Sequence, residues 1–62
     1  MTLSDEEKKE IITDRLHQLE RQLFEWELNK AAGLATSTEA NPRIISITNA
    51  IIAHQAELDK IK

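Results

Sequence analysis

Gly33-Leu34-Ala35-Thr36-Ser37-Thr38-Glu39-Ala40-Asn41-Pro42 is the stretch on which the fold turns. It holds the only Gly and the only Pro of the 62 residues, together with a Ser/Thr cluster. Such a concentration of turn-formers punctuates a chain. On both sides of it the apolar residues recur at three-four spacing, without the alternation a strand would need. The sequence therefore predicts an all-α, antiparallel two-helix hairpin, with helices over about 4–32 and 42–61, in a single domain spanning 1–62.

Each expected helix has its own start and stop chemistry. Ser4 followed by Glu7 is a capping box: the hydroxyl accepts from the N3 amide while the carboxylate reaches back to the cap amide. Asp5, Glu6 and Glu7 also put negative charge on the positive end of the helix dipole. At the other end Gly33 suits a left-handed C′ position, with Leu34 able to fold back on Leu28 as in a Schellman ending. For the second helix Asn41 serves as N-cap and Pro42 as N1, where a missing amide costs nothing. Thr36 with Glu39 forms a competing capping box, but it would draw Pro42 inside the helix. The expected connection is then an eight-residue loop, with a short turn allowed within residues 36–40.

Working outward, Ile12, Leu16, Leu19, Leu23 and Trp26 are spaced four, three, four and three. Ile44, Ile47, Ile51, His54, Leu58 and Ile61 follow three, four, three, four and three. Each series is a heptad seam. Folded back, they set Trp26 near Ile47, Leu23 near Ile51, Leu16 near Leu58 and Ile12 near Ile61. The charged segment Asp5 to Glu10 overhangs. Trp26 reads as seam packing rather than as an anchor for a partner.

A second apolar set lies off these seams. At about 100° per residue, Phe24, Leu28 and Ala31 sit roughly 100–160° round from the first seam, and Ile45 and Ile52 about 140° round from the second. The rotational sense is the same in both helices, so an antiparallel pair brings all five to one flank, towards the loop. A solitary hairpin leaves that flank in water and buries too little to offset its ordering entropy. The expectation is a homodimer whose two hairpins form a four-helix bundle, or else a protein partner over the same flank.

Composition narrows the function classes. Hydrophobic residues make up 40% and charged residues 31%, too apolar for a disordered tail. A chain of this length buries only about 60% of its unfolded surface and has no room for a two-domain cleft. The absence of Cys removes disulfides and thiolate metal sites. The longest apolar run, Ala31 to Ala35, is far short of the roughly 20 residues that span a bilayer. The opening Met1-Thr2-Leu3-Ser4-Asp5-Glu6-Glu7 is acidic, unlike a secretory signal or transit peptide. A cytoplasmic setting, or one within an intracellularly assembled particle, is expected.

Residues able to carry chemistry are present but not arranged for it. His54 falls on the second seam near Leu19 or Glu20 and reads as a core-edge histidine bonded to Glu20 or to solvent, not as a pH switch. His17 lies near Asp14 and Glu20 at helical spacing; no local ligand spacing joins the histidines into a zinc site. Most carboxylates of the first helix have a cation within reach, the pattern of a solvated face. Thr36, Ser37 and Thr38 have no neighbouring His to activate a nucleophile. The net charge of -3, with scattered Arg15 and Arg21, is wrong for a phosphate backbone. The polar faces are not Lys-rich enough for a membrane surface. The expected function is a non-enzymatic, cofactor-free interaction module that self-associates and regulates or scaffolds another protein. The alternative is a multi-copy structural subunit of a particle or filament.

Overall fold

The computed structural model describes residues 2–61. Met1 and Lys62, which the expected 1–62 domain includes, lie outside the described residues. Helix α1 (Asp5–Ala31) and helix α2 (Ser37–Lys60) form an antiparallel hairpin. There is no strand among the described residues.

The first helix is closed at both ends by its own sequence. Ser4 Oγ accepts from the Glu7 amide at 3.2 Å, and Glu7 Oε1 accepts from the Ser4 amide at 3.2 Å. Gly33 has φ +77°, the left-handed conformation that only Gly takes without strain. The Leu34 amide donates to the Asn29 carbonyl at 2.8 Å and the Gly33 amide to the Lys30 carbonyl at 3.3 Å. That pair of bonds is a complete Schellman motif. The expected apolar closure onto Leu28 is slight, since Leu34 stays 77% exposed. Ser4 and Ala32 are the caps, so α1 lies one residue inside the expected 4–32 at each end.

The second helix starts earlier than Asn41-Pro42. Its N-cap is Thr36, whose Oγ1 accepts from the Glu39 amide at 3.2 Å while Glu39 Oε1 accepts from the Thr36 amide at 3.3 Å. Pro42 lies inside the helix. Two effects outweigh it. The capping box satisfies two orphan donors, and the added turn carries Ala40 to 0% exposure. The proline's cost is held down by position: its missing amide deprives only the Thr38 carbonyl, on an exposed residue of the first turn. Asn41, expected as the cap, instead accepts from Lys30 Nζ at 2.8 Å and ties the two helices together beside the loop. The connection is thus residues 32–36 rather than eight residues. At the far end the helix stops at Lys60, with Ile61 as its cap rather than its last residue.

The interior is thin. Leu16, at 5% exposure, and Ala40 are the two buried apolar residues among those described. Ile12, Leu19, Leu23 and Trp26 on α1, Ile44, Ile47, Ile51 and Leu58 on α2, and the cap residue Ile61 are half-buried. Arg43 covers one side of Trp26, with its guanidinium carbon 5.9 Å from the ring centroid, at the outer limit for a cation–π contact. The molecule measures 46 × 18 × 14 Å, with a radius of gyration of 14.4 Å. A compact chain of this length has about 10.6 Å. Its accessible surface is 4976 Å², where a compact monomer of this mass exposes about 4,100 Å². The excess follows from the fold: each helix has one neighbour, so only one stripe of each is covered.

Candidate interaction surface

Phe24 is 64% exposed, Leu28 52%, Ile45 60% and Ile52 61%. Ala31 is exposed as well. Helical geometry explains why these residues share a flank. They follow the seams by 100° or more in the same rotational sense, and reversing one helix brings both offsets to the same side of the hairpin. The Lys30–Asn41 bond at 2.8 Å fixes the register of the helices beside the loop, and two hollows agree with it. One of them joins Ile12 to Ile61 near the open end, and the other joins Glu27 to Ile44 near the loop. Ile45 and Ile52 therefore stand at the heights of about residues 27 and 20 on α1. The flank is concentrated in the half of the hairpin next to the loop.

A second apolar surface lies elsewhere. Near the open end an open trough of about 450 Å³ is lined by Leu3, Ile11, Ile12, Ala53 and Ile61, with Lys8 and Arg15 also on its wall. Leu3 and Ile11 are 48% and 44% exposed. Ile11 is rotated about 100° from the α1 seam in the sense opposite to Phe24, which puts the trough on the other flank. Sequence reading did not register Leu3 and Ile11 as a surface. Ile11 alone, an apolar residue immediately before the seam residue Ile12, does not mark it, because the trough also needs Leu3, Ala53 and Ile61 from other parts of the hairpin.

The polar groups make few contacts. His54 lines the trough and also a shallower hollow with Leu19. Its Nδ1 lies 2.7 Å from the Ala50 carbonyl. A carbonyl can only accept, so Nδ1 carries the proton. This bond within α2 replaces the expected partner, Glu20. The interspersed charges of α1 form no ion pair among the described residues; Glu57 and Lys60 of α2 form one at 3.1 Å, with both side chains largely exposed. Such a pair adds little stability. His17 is exposed. No cluster of three or more His, Asp or Glu able to hold a metal ion occurs among the described residues. No described helix is long and apolar enough to cross a membrane.

Compared with family models, curated proteins and solved structures, the chain has no match.

Proposed function

We propose that this protein is a non-enzymatic interaction module. It self-associates through the Phe24, Leu28, Ala31, Ile45 and Ile52 flank, and in that form regulates or scaffolds another protein in the cytoplasm or in an intracellularly assembled particle. The observation that carries the reading is the contrast between that flank and the interior. Four large apolar side chains are 52–64% exposed on one face of a chain with two buried apolar residues among those described. Covering a Phe, Leu or Ile side chain is worth about 1.5–3 kcal/mol. A second copy doubles the return, because a two-fold interface uses the same patch twice. Light scattering of the purified chain tests this: a dimer is expected, and a well-ordered monomer at all concentrations overturns it.

A second reading, a multi-copy structural subunit of a particle or filament, draws support from the trough. Two separate apolar surfaces on opposite flanks suit head-to-tail contacts, which extend into open assemblies when the rotation does not close. Under that reading scattering gives a mass that keeps growing with concentration instead of levelling at two copies.

A further inference from the structure

We propose that two copies pair antiparallel, about a two-fold axis perpendicular to the hairpin, so that only their loop-side halves overlap and their open ends point away from each other. This rests on the self-association reading above and supplies its geometry and its occupant, a second copy of this chain.

Two geometries are available to a pair of hairpins meeting on one flank. With the two-fold axis along the helices, loop lies against loop and open end against open end over the full length. With the axis perpendicular and centred on the apolar patch, the loop halves cross and the rest diverges. The flank itself discriminates between them, because it is not uniform along its length. Its loop half is apolar. On the same side, continuing towards the open end, helical geometry places Glu10, Glu6 and, on α2, Asp59, while Glu20 lies at the height of Ile52, within the patch. All four are exposed. Of the Lys and Arg residues, Lys9 lies close to this strip, about 60° from the seam and half-buried; exposed His17 lies on it, and exposed Arg21 stands about 180° round from the seam beside Glu20, at the height of the patch.

A lengthwise axis would set each carboxylate strip against its own copy, six acids facing two lysines. Like charges brought face to face at an interface are costly and select against that register. A perpendicular axis brings Phe24, Leu28, Ile45 and Ile52 onto their symmetry mates and carries the acidic strips apart. The height of the patch centres the axis near residues 25–26 of α1. The overlap is then about 20 Å long across a hairpin 18 Å wide, about 360 Å² per copy and under half the roughly 800 Å² per partner of a standard interface, so association is weak and concentration-dependent. It also leaves the Leu3/Ile11 trough uncovered at both far tips of the dimer.

The chain contains no Cys, so single cysteines give clean spin-label sites. Thr13, Thr48 and Ala56 are exposed positions on or beside this flank. Thr48 faces the height of Phe24, close to the axis, and reports whether the interface exists. Thr13 lies about 19 Å along α1 from the axis and Ala56 about 14 Å along α2. The experiment is pulsed dipolar spectroscopy of T13C, T48C and A56C, each nitroxide-labelled. It is run at a concentration where scattering shows dimers and circular dichroism shows the unlabelled chain's helicity. The expected separations are under about 20 Å for residue 48, about 40 Å for residue 13 and about 28 Å for residue 56. Separations under about 20 Å at all three positions mean a lengthwise axis, which overturns this geometry while leaving self-association intact. Short separations at residue 13 with none at residue 48 put the interface at the open end and overturn both. Absence of dipolar coupling everywhere, with a monomer by scattering, overturns the self-association reading itself.

Discussion

The seam and the flank of this hairpin carry the same kinds of side chain and end in opposite environments. Leu16 is 5% exposed on the seam, while Phe24, eight residues further along the same helix, is 64% exposed on the flank. Hydrophobicity does not separate them. Rotation does: a helix with one neighbour covers one stripe, and a residue turned more than about 100° from that stripe meets water. The seam is therefore complete within one chain. The flank is left to water within one chain, and under the proposed self-association a second copy covers it.

Substitutions at the two sites should behave differently. The largest effect is expected from Phe24→Glu. In the proposed dimer it removes two covered aromatic rings and puts a carboxylate in each place, for a loss of about 3–6 kcal/mol of association, a hundredfold or more in dissociation constant. Scattering and circular dichroism across a dilution series would show the dimer and part of the helicity lost together. If Phe24 is an ordinary surface residue, the change stays within about 0.5 kcal/mol and the contrast collapses. Leu16→Ala should cost about 2–5 kcal/mol through the cavity it leaves, read as a fall in thermal midpoint that more protein does not fully restore.

Smaller effects sharpen the comparison at the loop, where the two helix starts competed. Gly33→Ala meets no atom within 4 Å, so its expected cost of about 1–2 kcal/mol comes from the left-handed backbone alone. Thr36→Ala should cost about 1 kcal/mol as a lost N-cap. Asn41→Ala, which loses only an exposed bond to Lys30, should cost a few tenths, roughly the worth of one such surface pair. Denaturant midpoints compare the three variants; an Asn41→Ala loss equal to or larger than that of Thr36→Ala would mean that α2 starts at Asn41 after all.

The hairpin was legible because each local signal agreed with the others. Ser4 and Glu7 cap as their spacing says, Gly33 takes the left-handed turn, and the three-four spacing excludes strands. The start of α2 was not legible from residue preference alone, because Asn-Pro and Thr-x-x-Glu are both good starts. What decides between them is tertiary. Ala40 continues the seam backwards from Ile44 at a spacing of four and becomes fully buried only if the earlier turn forms. The shared flank was readable from rotation alone. The trough was not, because it joins Leu3 and Ile11 to Ala53 and Ile61 across the hairpin, and no periodicity within one helix marks it.

Sedimentation equilibrium of the unaltered chain, with helicity followed over the same concentrations, decides whether the hairpin pairs. A species of twice 7.1 kDa is expected, with its population and helicity rising together. A 7.1 kDa particle that is fully helical at every concentration would contradict self-association.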